Sequence, residues 1–341
     1  MKFRLPLAVA LCALATPLAA EPVEYRVLIE NRDIGHYKVD RVSAPGGDRI
    51  SVDFDFKQNG RGPTIKEEVR LDKDGLPVEW TITGRTTFGN AVAESFRRTG
   101  RGAEWRDLAG PGAIRGKDAP RHYVAQNGSL LDISLLAKAL LADADRSLAV
   151  APGGTARLTE KDRRSFDGPA GSMEVVTYEL SGLSLNPTYI TLDSKGDLFA
   201  VASAGFIIAR AGYEKAADEP LRALAERLAS ERFASLQAEG ARRFAGPVRI
   251  RNVRVFDPAA KALSAPSDVT FAGNRITGVL PAGSAATPGE TTIDGAGGTL
   301  VPGLFEMHAH LGQEDALLNV LAGITSVRDM GNRNDVLDVL I

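Results

Sequence analysis

The stretch Ile50-Ser51-Val52-Asp53-Phe54-Asp55-Phe56 alternates strictly between apolar and polar side chains. A period of two indicates a β-strand with one buried face and one face in water. The segments Glu24 to Ile29 and Val78 to Ile82 repeat the pattern, and turn sequences such as Asn59-Gly60 and Asp74-Gly75 separate the runs. Strands that follow one another this closely predict an antiparallel sheet.

Two predicted helices accompany these strands. The first runs from Ser129 to Ala142, with leucines at helical spacing, a capping residue in Ser129 and Asp132 in its first turn. The second covers 214–246 and carries an apolar stripe opposite a face of mixed charge, which favours a linker helix over a membrane-surface helix. These patterns predict a β-rich domain over 21–213, followed by the linker helix.

The first twenty residues have the three-part layout of a secretory signal peptide. Lys2 and Arg4 precede a short apolar core, and the small residues before Glu21 favour cleavage after Ala20. Cleavage would change the formal net charge from −2 to −4, because two basic residues and no acids are removed. We therefore expect a periplasmic or secreted protein.

Composition excludes several classes of protein and site. Hydrophobic residues make up 44% of the 341 residues and charged residues 25%, as in ordinary globular proteins. The mildly acidic balance argues against a nucleic-acid partner. Cys12 is the only cysteine and lies in the predicted signal, so a disulfide or a cysteine-bound zinc is not expected. No run of about 18 apolar residues predicts a membrane span.

The sharpest candidate for chemistry is the pair His308 and His310. In an extended segment, residues two apart project to the same side, so both imidazoles can reach one metal ion. The spacing alone favours two polar residues in a loop, because four histidines can produce it by chance and the bare motif is weak evidence. Around the pair, short strands over 247–298 give way after residue 298 to an alternation of strand and helix that is typical of a parallel sheet.

The context of the pair resembles the start of the catalytic domain in the amidohydrolase superfamily. The resemblance rests on Asp294 to Leu311, where a glycine-rich turn leads through Pro302-Gly303-Leu304 to the His-x-His sequence. It extends back to the strand Ile250 to Asp257 and forward to Ala322 through Gly331. The segment is most similar to imidazolonepropionase-like and prolidase-like members, and covers about residues 247–341.

The strand pattern of the N-terminal part and the resemblance of the C-terminal part together predict an α+β chain. An N-terminal antiparallel sheet domain with one helix would precede a small β domain over 247–298, and the first two βα units of an incomplete (β/α)8 TIM barrel would occupy 299–341. The resemblance also implies a divalent metal, zinc above all and one or two ions in the complete protein, with His308 and His310 as the first ligands. Metal-activated water would then hydrolyse an amide, lactam or peptide-like carbon–nitrogen bond of a small-molecule or peptide substrate.

The resemblance also requires ligands that this chain does not supply. Two histidines do not complete a catalytic zinc site, which usually takes three protein ligands. We therefore expect a fragment of a longer enzyme, with no catalytic residue of its own and little or no hydrolysis.

Other interpretations stay open at this point. Arg328 and Asp329 could assist a substrate pocket or simply pair with each other. The β-rich domain could act as a non-catalytic periplasmic binding module for a hydrophobic or peptide ligand. The chain could also be a remnant without function.

Overall fold

The computed structural model describes residues 21–331, without the side chains of Gln313 and Glu314. The predicted signal peptide and the helix predicted from Asn334 onward lie outside the described residues. The chain divides into two compact units, the first ending at Arg227 and the second beginning at Leu228.

The first unit contains one sheet of fifteen strands. In chain order they are β1 (Val23–Ile29), β2 (Arg32–Val42), β3 (Arg49–Phe56), β4 (Thr64–Leu71), β5 (Pro77–Arg85), β6 (Ala91–Thr99), β7 (Gly102–Asp107), β8 (Gly110–Arg115), β9 (His122–Tyr123), β10 (Ser147–Ala151), β11 (Thr155–Gly168), β12 (Gly171–Ser181), β13 (Thr188–Asp193), β14 (Leu198–Ala202) and β15 (Phe206–Arg210).

Two antiparallel meanders form this sheet. One runs from β8 back to β1 and the other from β15 back to β10, and β1 joins them by pairing with β15, as Tyr25 opposite Arg210 shows. The short strand β9 closes the far end in parallel with β10. Short turns connect sequential neighbours, as expected where apolar and polar side chains alternate along closely spaced strands.

The inward face of the sheet curls around helix α1 (Leu131–Ala142). Inward residues from both meanders join Leu136 and Leu140 of α1 in one hydrophobic cluster. Tyr123 of β9 stacks on Phe96 of β6, with ring centroids 5.1 Å apart and planes at 14°. Since β9 and β6 are far apart in the order of strands, this contact requires the sheet to fold over on itself.

The other face of β11–β15 packs against the beginning of helix α2 (Glu214–Gly240). Phe199 of β14 lies between Phe166 and Tyr213, with ring centroids 5.5 and 5.6 Å away. All five residues of β14 are therefore buried, because α1 and α2 cover opposite faces of this part of the sheet. No described helix is long and apolar enough to cross a membrane.

The second unit has a six-stranded sheet: β16 (Val248–Asp257), β17 (Ala262–Leu263), β18 (Ser267–Ala272), β19 (Arg275–Pro281), β20 (Thr291–Asp294) and β21 (Thr299–Leu300). Strands β17 and β18 pair with β16 in antiparallel orientation, and β19 pairs with β18 in the same way. Strands β20 and β21 pair with β16 in parallel. Buried Val248, Val253 and Val269 supply apolar side chains to its core.

After this sheet come β22 (Leu304–Ala309), helix α3 (Gln313–Leu321) and β23 (Ile324–Asp329). The strands β22 and β23 form a separate parallel pair, and Leu304, Phe305, Met307 and Leu321 are exposed. The predicted α+β class with two units of a TIM barrel is therefore wrong. The described chain is mostly β, with 51% strand and 15% helix, and its main element is the fifteen-stranded sheet.

Candidate metal centre

The two histidines of the predicted pair lie together at the C-terminal end of β22. His308 is in the strand and His310 follows its last residue, so the extended backbone places the two imidazoles on one side. Their ring centroids are 5.4 Å apart with planes at 62°, and both residues are exposed. The spacing and the exposure allow both rings to bind one ion from solvent.

The neighbouring strand β23 fixes the backbone around the pair. Asp329 lies opposite Ala309, and the Met330 amide donates to the Ala309 carbonyl at 2.8 Å. The Asp329 carboxylate accepts from the amide of Leu311 at 3.1 Å and from that of Gly331 at 2.9 Å. This carboxylate therefore stabilises the backbone that follows β22 and the backbone that follows β23, and the conformation of His310 depends on it.

The orientation of His310 suits a metal ligand. Its Nδ1 lies 3.1 Å from the Gly331 carbonyl oxygen. In the tautomer with the proton on Nδ1, this contact is a hydrogen bond and Nε2 keeps a free lone pair. Histidines that bind metals usually donate their other ring N–H in this way. For His308 the defined contact is on the backbone, where its amide donates to the Glu306 carboxylate at 2.8 Å.

The donor set fits a divalent transition metal in part. Neutral imidazoles bind zinc and its neighbours well, and two of them can share one ion. Among the described side chains, however, no group of three or more histidine, cysteine, aspartate or glutamate residues is placed to hold a metal together. The pair therefore supplies two donors, and the other positions require water or ligands from outside the described residues.

The two further residues predicted near the site have different environments. Arg328 is exposed on β23, whereas Asp329 is half-buried and bonded to the backbone. The role of Asp329 as the support of the histidine segment was missed by the sequence interpretation. Its position at the C-terminal end of a predicted strand was the available signal, because the C-terminal ends of neighbouring parallel strands meet at one edge.

A second cluster, in the first unit, was also missed. Glu67 of β4, Glu94 of β6 and Asp132 of α1 are buried in the face that packs on α1. The signal was present in the alternation, since Ile65-x-Glu67-x-Val69 and Val92-x-Glu94-x-Phe96 place each acid at an inward position. We name Glu67, Glu94 and Asp132 the carboxylate cluster.

Hydrogen bonds from the segment between β9 and α1 satisfy the carboxylate cluster. Glu94 accepts from the backbone amides of Gln126 and Asn127 at 3.0 and 2.7 Å, from the Asn127 side chain at 3.1 Å and from the Tyr123 hydroxyl at 3.1 Å. The Ala125 amide donates to Asp132 at 3.0 Å.

Glu67 accepts from the Trp80 indole at 2.9 Å and from the Ser129 amide. Burial raises the pKa of Glu67, and it raises the pKa of Asp132 to about 7 with a further contribution from the charge of Glu67. The cluster lies among groups that hold the fold together, and among the described residues its three acids are not placed to hold a metal ion.

Comparison with known proteins gives limited likeness to solved structures. No known protein family and no curated protein sequence matches this chain. Among solved structures, the chain is similar to a prolidase crystallised with N-methylphosphonate-L-proline, at 26% identity and a TM-score of 0.20. The match covers 25% of this chain and 26% of the prolidase, so the chain spans about a quarter of that enzyme. A likeness of this extent indicates at most a distant relationship and does not assign the chain to a family.

Proposed function

We propose that this chain contributes His308 and His310 to a divalent-metal centre that hydrolyses carbon–nitrogen bonds. The observation that supports this proposal most directly is the contact of His310 Nδ1 with the Gly331 carbonyl, which leaves Nε2 available as a ligand beside the exposed ring of His308. Zinc is the ion we expect first, because it accepts imidazole donors and tolerates open positions.

The residues of the site divide into ligands and a support. His308 and His310 would hold the ion from one side, and Asp329 would keep the second imidazole in place through Leu311 and Gly331. A bound divalent metal lowers the pKa of coordinated water and polarises an amide carbonyl. With two protein ligands the described residues would bind metal more readily than they would catalyse, because a catalytic zinc usually needs three.

Titration of the untagged protein with Co²⁺ and Zn²⁺ tests the proposal, followed by absorbance and by calorimetry. We expect one ion per chain, and we expect His308→Ala and His310→Ala each to abolish binding. Asp329→Asn should weaken binding by roughly 10-fold to 100-fold, the usual cost of losing a group that orients a ligand.

His36→Ala is the matched control, because His36 lies in the first unit, where its Nε2 is 3.6 Å from an Asp53 carboxylate oxygen. Binding that survives the double substitution of His308 and His310 would refute the assignment. In a parallel assay, the metal-loaded chain should cleave amide, lactam and dipeptide substrates no faster than the metal in buffer.

No observation within residues 21–331 favours the binding-module alternative for the β-rich domain. Side chains of α1 and Tyr123 fill the face of the sheet that a hydrophobic ligand would need. The depressions on this domain lie outside that face and are open, with polar and basic side chains on their walls.

A further inference from the structure

Two neighbouring hairpin turns of the first unit lie at the same edge of the fifteen-stranded sheet. The β3–β4 turn covers 57–63 and the β5–β6 turn covers 86–90. The first residue of β4, Thr64, is opposite the last residue of β5, Arg85, so the two turns extend beyond the sheet side by side. Between them they form a depression of about 480 Å³.

The β5–β6 turn holds an aromatic side chain in solvent. Phe88 is 78% exposed, the largest exposed fraction among the large hydrophobic side chains of the described residues. Hydrogen bonds make the turn rigid: the Thr86 amide donates to the Asn90 carbonyl at 2.9 Å, and Arg85 Nη1 donates to the Gly89 carbonyl at 3.0 Å. The exposure of Phe88 is therefore a property of a defined turn.

Basic side chains surround this aromatic ring. Arg61 and Arg85 are exposed on the walls of the depression that Phe88 also lines. Lys57 lies there too, bonded to the Gly62 carbonyl and paired with Asp55 at 3.6 Å. The two guanidinium groups have no acidic side chain within ion-pair distance among the described residues, so the surface beside Phe88 is positively charged.

A further apolar side chain extends from the same edge two strands away. Leu108 in the β7–β8 turn is 55% exposed, and its amide donates a hydrogen bond to Gln126 Oε1 at 3.0 Å. The turn follows β7, which is antiparallel to β6 and parallel in direction to β5, so it lies on the side of Phe88. Exposed apolar side chains at hairpin turns, with basic side chains beside them, suit a lipid–water interface. There, aromatic rings and guanidinium groups lie at the level of the headgroups.

We propose that the edge formed by the 57–63 and 86–90 turns binds the surface of an anionic bilayer. Phe88, aided by Leu108, would enter the boundary between headgroups and acyl chains, and Arg61 and Arg85 would contact lipid phosphates. The contact is peripheral. It concerns a surface remote in sequence from the histidine pair, and it does not depend on the proposed hydrolase.

Tryptophan substitutions test this surface at a chosen position. Phe88→Trp is mixed, in the full chain, with vesicles of phosphatidylcholine and phosphatidylglycerol that carry brominated acyl chains, and the quenching of its emission is measured. Lys73→Trp is the matched control, because Lys73 is exposed in the β4–β5 turn at the opposite edge of the sheet. We expect quenching above the parent protein for position 88 and none for position 73.

Further variants, tested by co-sedimentation with the same vesicles, measure the apolar and the electrostatic contributions to binding separately. Phe88→Ser should reduce vesicle co-sedimentation at least tenfold, and Arg61→Gln and Arg85→Gln should each reduce it about fivefold, with no change in thermal unfolding. Vesicles of phosphatidylcholine alone should bind much less.

Several results would overturn the proposal. Among them are equal quenching at positions 73 and 88, binding that ignores lipid charge, and co-sedimentation that persists in Phe88→Ser. The last result would indicate that apolar residues elsewhere, such as those of β22 and α3, cause the association. Capture of a protein partner by this edge without any vesicle binding would also refute it.

Discussion

The two units bury charge in opposite ways. In the first unit the carboxylate cluster has hydrogen-bond donors for partners, and four of them are backbone amides of residues 125–129. In the second unit buried charges of opposite sign lie together: Asp268 is 1% exposed, and so is the cation Arg249. It contacts Glu290 through Nε at 2.8 Å and Nη2 at 3.2 Å, and Asp268 at 3.6 Å. A buried charge thus requires compensation, and dipoles or counter-ions can provide it.

The difference predicts opposite responses to pH. Arg249 lowers the pKa of Glu290 to about 2, below its value in an unfolded chain, so this contribution to stability is present above about pH 4.5 and is lost as the pH falls toward 2. Burial raises the pKa of Asp132 to about 7, so the folded first unit retains a proton there. The contribution of Asp132 to stability is therefore fully present below about pH 4 and is lost as the pH rises through 7.

The largest expected effect is that of Arg249→Met in the second unit. The substitution leaves Glu290 and Asp268 buried without their counter-ion, and removing one member of a buried ion pair costs far more than removing an exposed one. We expect amides of residues 248–294 to lose their protection in hydrogen-exchange mass spectrometry at pH 7, while those of the first unit keep theirs. Arg275→Met, at an exposed position of β19, is the control and should exchange like the parent. Equal protection in both variants would mean that the buried pair does not hold this unit.

The next effect is that of Glu94→Ala in the first unit. The substitution removes the carboxylate that accepts hydrogen bonds from four donors, which include the amides of Gln126 and Asn127. Each buried donor left without a partner costs about 1–3 kcal/mol, and partial access of water should limit the total to roughly 3–5 kcal/mol in urea unfolding. The control Glu104→Ala removes an exposed pair with Arg115 and should cost about 0–1 kcal/mol. Similar losses in both variants would contradict a special role for the carboxylate cluster.

The fold also shows which features local sequence patterns predict and which features depend on residues far apart in the chain. Local alternation predicted strands at Ile50 to Phe56 because a period of two needs only neighbouring residues. The pairing of β1 with β15 and the contact of Tyr123 with Phe96 depend on residues far apart in the chain, which no local pattern encodes. The barrel prediction failed for a related reason, since one short β–α–β pattern does not determine how many strands join a sheet.

For the candidate metal centre too, the sequence predicted only what the geometry of a single strand determines. The spacing of His308 and His310 fixed their common side, because it depends on the geometry of a single strand. The role of Asp329 required the register between β22 and β23. The carboxylate cluster required the fold of the whole sheet over α1, so inward acids in separate strands could be recognised one at a time but not as partners.

The third prediction tests the sign of the pH response in the first unit. Asp132→Asn removes the titrating group and leaves one acceptor for the Ala125 and Ile133 amides, so it should destabilise the unit near pH 5. Between pH 4 and 8 the parent should lose stability on the order of 4 kcal/mol from this residue, whereas the variant should not. The two stability curves, measured by urea unfolding at each pH, should therefore converge toward pH 8. Parallel curves would show that Asp132 titrates normally in the folded protein.

The smallest expected effect, from Trp80→Phe, measures how much a single donor stabilises the cluster. The substitution keeps an aromatic ring in the core and removes the indole N–H that Glu67 accepts at 2.9 Å, while the Ser129 amide still donates to the same carboxylate. At pH 8 we expect a loss of about 1–2 kcal/mol, part of it from the smaller ring. Burial raises the pKa of Glu67, and losing a donor should raise it further, so that the protonated form is reached at a higher pH. A neutral carboxyl group depends less on the missing N–H. The loss in free energy of unfolding relative to the parent should therefore become smaller as the pH falls toward 5. A loss that is the same at both pH values would mean that packing alone accounts for it, and that amides rather than the indole balance the charge of Glu67.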